Sequence, residues 1–166
     1  MKSFLTLFLS LFIFSLIAFA QENKAPDFVL PDIDGNNYRL YDHLGEGPIL
    51  INFWATWCIP CREEMKKLKK IYKKYKDDQL EILSISIDDP KTVGKVKGFV
   101  NTYRYPFTFL LDTNNEVIRL YQGNNPPYTV LLDKDGTIVY THTGYRKGDE
   151  KKVEEKIAHL ISLDQK

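Results

Sequence analysis

Cys58 and Cys61 are the only cysteines in the chain, and Ile59 and Pro60 separate them. Two intervening residues let one short loop hold both thiols at disulfide distance, which demands close Cβ atoms. The pair follows the apolar run Ile49-Leu50-Ile51-Asn52-Phe53-Trp54 and precedes a helical pattern, so Cys58 is expected at a helix N-terminus. Free N–H groups and the helix dipole there favour a thiolate, the form that attacks disulfides. Cys61, one turn further in, is expected to be shielded and to react second. The chemistry this arrangement suits is thiol–disulfide exchange.

Other uses of two cysteines fit less well. As a staple, so small a loop would constrain the unfolded chain little. A zinc site needs two further ligands, and His43, His142 and His159 show no paired spacing near the cysteines. Covalent haem attachment needs a His directly after the second Cys, where Arg62 stands. Glu64 lies three residues after Cys61, so a helix brings both to one face. It is either a charge coupled to the thiols or an ordinary acid in a first helical turn. Glu63 points elsewhere. Trp54 is expected in the core, and Trp57 exposed beside Cys58 as a flat apolar docking surface.

The elements that must position these residues are legible as patterns. Phe28-Val29-Leu30 and Tyr38-Arg39-Leu40 flank the turn cluster 31–37 and read as a β-hairpin. Residues 49–54 suit a buried strand. After Pro60 a helix places Met65, Leu68, Ile71, Tyr72 and Tyr75 on one face, with seven lysines between 66 and 76 as its solvated side. Leu80 to Ile87 reads as a strand, and Asp88-Asp89-Pro90 is expected to open a helix running to about Tyr103. Phe107 to Leu111 is a further apolar stretch, followed by a short segment from Glu116 to Tyr121. After the break at 124–127, Tyr128–Leu132 and Thr137–His142 flank Asp133-Lys134-Asp135-Gly136 as a hairpin. A last helix from near Gly148 aligns Val153, Ile157, Leu160 and Ile161. This order implies an α/β domain with a mixed central sheet between helices.

The chain has 166 residues, 43% hydrophobic, with 23 basic against 22 acidic side chains. That size suits one domain, and the balance removes the electrostatic case for nucleic acid. Residues 1–20 stand apart, with one Lys, no acid and five of the ten Phe. A positive start, an apolar run from Phe4 to Phe19 and an Ala18-Phe19-Ala20 end match a secretory signal cleaved after Ala20. A retained anchor over 4–19 is the less favoured reading, because the run is short for a span. The domain is then 21–166, exported, periplasmic or equivalent.

The run Asn52-Phe53-Trp54-Ala55-Thr56-Trp57-Cys58-Ile59-Pro60-Cys61 resembles the active site of exported thioredoxin-like proteins of the TlpA/ResA type. The resemblance extends to Ala25-Pro26-Asp27-Phe28 with Asp34-Gly35, to Tyr105-Pro106-Phe107, and to Pro127 followed by Val130 to Gly136. It implies a thioredoxin fold with an N-terminal β-hairpin and a central βα insert over roughly 99–121. It also implies a disulfide reductase in which a cis Pro127 faces the cysteines and Glu64 tunes their protonation. Asn52 stands where cytoplasmic thioredoxins keep a buried Asp. Ala55 replaces the catalytic Thr of peroxiredoxins, which share the scaffold. In such relatives the residue before the cis proline binds substrate through its backbone, whereas Pro126 has no N–H to offer. The implied partners are disulfide-containing exported proteins, apocytochrome c among them, and a membrane-embedded thiol donor; no cofactor or metal is implied. The alternative is a Cu(I) metallochaperone holding the ion between two thiolates, although such carriers usually add a distal His and a longer Cys spacing.

Overall fold

The computed structural model describes residues 23–164, so the expected signal segment 1–20 lies outside the described residues. Strands β1 (Val29–Pro31) and β2 (Asn37–Arg39) pair antiparallel as the leading hairpin. The main sheet has the order β5-β4-β3-β6-β7, built from β3 (Ile49–Trp54), β4 (Glu81–Ser86), β5 (Thr108–Leu111), β6 (Tyr128–Leu132) and β7 (Ile138–Thr143). β3, β4 and β5 run parallel, and β6 and β7 are antiparallel. The mixed sheet is therefore as expected.

Burial follows from pattern. All six residues of β3 are buried, as befits a central strand covered on both faces. β7, at the edge, alternates between half-buried and exposed. Helix α1 (Ile59–Tyr75) packs Leu68 and Ile71 with Val153, Ile157 and Ile161 of α4 (Asp149–Asp164) on one sheet face, against Leu50, Ile82 and Leu131. The other face packs Ile51, Phe53, Ile85, Leu110 and Val130 with the hairpin residues Leu30 and Tyr38. The stretch expected as an insert, roughly 99–121, takes in the second half of α2 (Gly94–Tyr103), β5 and the short α3 (Glu116–Leu120). Among the described residues, no helix is long and apolar enough to cross a membrane.

One expected boundary needs correction. The helix after β4 begins at Gly94 rather than at Asp88-Asp89-Pro90. Asp89 does cap, accepting from the Lys91 and Thr92 N–H groups, and the turn it closes runs directly into α2. Asp88 caps nothing. Its side chain turns inward and is fully buried.

Candidate functional site

Strand β3 delivers the chain to a tight turn, Ala55–Cys58, closed by the Cys58 N–H donating to the Ala55 carbonyl at 3.0 Å. Cys58 is the N-cap of α1, and its Sγ accepts from the Cys61 N–H at 3.3 Å. Pro60 lies in the first turn, where its missing N–H leaves no helical bond unmade. That turn carries no acidic residue, so no side chain of the turn itself offsets the positive end of the helix dipole at Cys58. The two cysteines form a disulfide with Cα atoms 5.4 Å apart. Cys61 is fully buried and Cys58 retains 4% exposure, while Trp57 and Ile59 beside it are 59% and 72% exposed. A small sulfur opening with an apolar rim suits docking of another polypeptide. Trp54 is buried against Phe99 and Phe109, as expected.

Thr56 is held from both sides. Its amide N–H donates to Asp88 Oδ2 at 2.7 Å and its hydroxyl to Asp88 Oδ1 at 2.6 Å. Its carbonyl accepts from Arg62 Nη2 of α1, and the Arg62 guanidinium lies 5.7 Å above the Phe99 ring centre. Neither Thr56 nor Asp88 stands out in sequence. Their relation requires the ends of β3 and β4 to lie side by side, as the parallel pairing of Trp54 with Ser86 ensures.

Glu64 is buried at 3% exposure, on the α1 face that also carries Cys61. Its Oε2 accepts from the Asn52 amide and its Oε1 from the Thr129 hydroxyl, both at 2.8 Å. Desolvation outweighs these two bonds and pushes its carboxyl from 4.5 up to about 7. Glu63 is exposed and pairs with Lys66 at 2.7 Å. Asn52 and Thr129 are direct cross-strand partners in the β3–β6 register. Thr129 carries no local sequence signal, because only the sheet register reveals that it faces Glu64.

The Pro126–Pro127 peptide bond is cis. Gly123 comes before it, and a Cβ there would collide with the Tyr128 ring, so only glycine fits this approach. The Pro127 carbonyl accepts from the Gly144 N–H at 2.7 Å. Both prolines line a cleft of about 620 Å³ with Pro60, Gly144, Tyr145 and Arg146. The first turn of α1 and the proline loop thus border one opening. His43 stacks on Tyr38 and His142 pairs with Asp149 at 3.1 Å. Among the described residues, no three His, Cys, Asp or Glu side chains gather as metal ligands would.

Known proteins resemble this arrangement over most of its length. The model of the AhpC/TSA family matches residues 22–141. A thiol-disulfide oxidoreductase ResA from Geobacillus kaustophilus is 37% identical over 127 residues, covering 76% of this chain and 71% of that protein. A thiol-disulfide oxidoreductase ResA from Bacillus anthracis is 39% identical over 116 residues, covering 70% and 65%. Among solved structures, a thioredoxin-like protein from Porphyromonas gingivalis superposes with a TM-score of 0.73 at 29% identity, covering 85% of this chain and 94% of that one. The thioredoxin domain of a thiol-disulfide oxidoreductase from Bacteroides vulgatus does so with a TM-score of 0.68 at 26% identity, covering 84% and 99%.

Proposed function

The chain belongs to the AhpC/TSA family and is a thiol–disulfide oxidoreductase of thioredoxin-like fold, and from that premise we propose that it reduces disulfides of exported proteins through Cys58 and Cys61. The observation that carries this reading is the Cys58–Cys61 disulfide, with Cys58 capping α1 under the exposed Trp57 and Ile59. In the reduced enzyme, the Cys58 thiolate attacks one sulfur of a partner disulfide. A Cys58–partner disulfide forms and the second partner sulfur leaves as a thiolate. The Cys61 thiolate then attacks Cys58 Sγ, the mixed disulfide breaks, and the partner departs as a dithiol with two electrons gained. The enzyme is left with the Cys58–Cys61 disulfide, which a membrane-embedded thiol donor would reduce again.

Glu64, its carboxyl raised to about 7 by burial, would take up or return the proton of Cys61, whose face of α1 it shares. Trp57 supplies apolar contact, and the cleft along Pro126 and Pro127 receives the extended partner chain. Pro126 offers only its carbonyl there, so side-chain contacts carry more of the binding. Haem-binding cysteines of an apocytochrome c are one substrate this reading admits. Export rests on the signal-like pattern of residues 1–20.

Insulin reduction with dithiothreitol tests the reading. The wild-type protein should turn over, and Cys58→Ser should abolish turnover. Cys61→Ser should accumulate mixed disulfides with partners, which Cys58→Ser should not. Equal trapping by both variants overturns the assigned order, and no turnover by the wild-type protein overturns the function. The reduction potential of the pair sets the direction: a value below that of the donor's dithiol excludes reduction as the working direction.

A further inference from the structure

We propose that Asp88 and Arg62 form a clamp on Thr56 that holds the Cys58 sulfur at the head of α1; the inference rests on Cys58 being the attacking thiol. Thr56 is the second residue of the Ala55–Cys58 turn, and every polar group it has is engaged. Asp88 takes its N–H and its hydroxyl, while Arg62 takes its carbonyl. The two arms come from different elements, one following β4 and the other on α1. The turn therefore cannot tilt without breaking a bond to one of them.

The arms are themselves fixed. Asp88 is fully buried, and its Oδ2 also accepts from the Ser86 hydroxyl at 2.8 Å. The Asp88 N–H donates back to Ser86 Oγ at 3.1 Å, and the neighbouring Ile87 N–H donates to the Trp54 carbonyl at 2.8 Å. The end of β4 is thus tied to the end of β3, where the turn begins. Arg62 is seated over Phe99 of the insert.

Position matters because the stabilisation of a thiolate by a helix N-terminus fades within one turn. The Cys61 N–H reaches Cys58 Sγ at 3.3 Å, and a tilt of the turn lengthens that contact. The side-chain bonds of Thr56 go to Asp88 and none goes to a sulfur, so it is a positioning residue. Charged groups on the elements that meet near the turn are Arg62, Glu63 and Glu64 of α1, Asp88 and Asp89 after β4, Lys95 of α2, and Arg146 and Asp149 beyond β7. Thr56→Val changes none of them.

Iodoacetamide labelling of the reduced full-length protein against pH, with peptide mapping, tests the clamp. Thr56→Val should move the Cys58 profile to higher pH and slow its labelling at pH 7 about threefold, the scale of one helix-terminus interaction. Thr56→Ser keeps the hydroxyl and should return the profile to that of wild type. If Thr56→Val lowers the melting temperature while its profile overlays wild type, the clamp is only structural and the proposal falls. If the wild-type protein labels at Cys61 instead of Cys58, the functional reading falls and takes the clamp with it.

Discussion

Two carboxylates are buried next to the dithiol, and the chain holds them differently. Asp88 acts upstream of Cys58, through Thr56, and its two oxygens accept from three donors: the Thr56 N–H, the Thr56 hydroxyl and the Ser86 hydroxyl. Glu64 acts downstream, on α1, and has one donor per oxygen. At Glu64 burial outweighs the two donors and lifts the carboxyl to about 7. Equal burial therefore does not mean equal roles. A carboxylate with three donors can anchor backbone, as Asp88 anchors Thr56, whereas burial against only two donors lifts the Glu64 carboxyl.

The largest expected effect tests the anchoring half of this contrast. Asp88→Ala strands a buried backbone N–H and two hydroxyls, each orphaned donor costing about 1–3 kcal/mol. A loss of about 4 kcal/mol in urea denaturation at pH 7 is expected. A loss under about 1 kcal/mol would mean that water or rearrangement replaces the anchor, and the contrast would dissolve.

The two carboxylates also differ in how they could be read from sequence. The dithiol, its helix, the buried strand before it and both hairpins follow from spacing and apolar pattern, because each depends on near neighbours. Glu64 was within reach for the same reason, since helical period alone aligns it with Cys61. Asp88 is the exception: Asp-Asp-Pro is a sound helix-start signal, and Asp89 does cap the turn that leads into α2. Nothing local indicates that the first Asp of the pair turns inward to a residue 32 positions away. Thr129 was missed on similar grounds, since its partner is set by the β3–β6 register. Pro127 was placed by resemblance to a family, not by any physical pattern in the chain.

A second test addresses the titrating half. A rise from 4.5 to about 7 disfavours ionised Glu64 in the native state by about 3 kcal/mol, at about 1.4 kcal/mol per pH unit. The native state then binds this proton more tightly than the unfolded chain does. Its stabilising contribution is complete below about pH 4.5, declines as pH rises toward 7, and is gone above that. Glu64→Gln should remove the decline, because the Gln oxygen can still accept from Asn52 and its amide can donate to Thr129. Denaturation midpoints measured from pH 4.5 to 8 should show a flatter profile for Gln than for wild type, with the difference approaching 2–3 kcal/mol at pH 8. The thiol labelling profile should also lose one inflection, since a coupled proton has been removed. Parallel stability profiles would show that Glu64 does not titrate in this range.

The smallest expected effect asks whether donor count is the controlling variable. Thr129→Val deletes the hydroxyl that serves Glu64 Oε1, keeps the β-branched shape suited to a strand, and leaves the Asn52 bond in place. Glu64 would then have a single donor, and desolvation would act against even less compensation. The carboxyl should rise further, so the decline in stability should extend to higher pH than in wild type. The loss should be about 1 kcal/mol at pH 8, where the ionised form needs the hydroxyl. It should be smaller at pH 5, where a protonated Glu64 has less need of a donor. Urea denaturation at the two pH values separates the cases. A loss of equal size at both would mean that Thr129 contributes packing alone, and its hydroxyl would no longer count among what sets the Glu64 carboxyl.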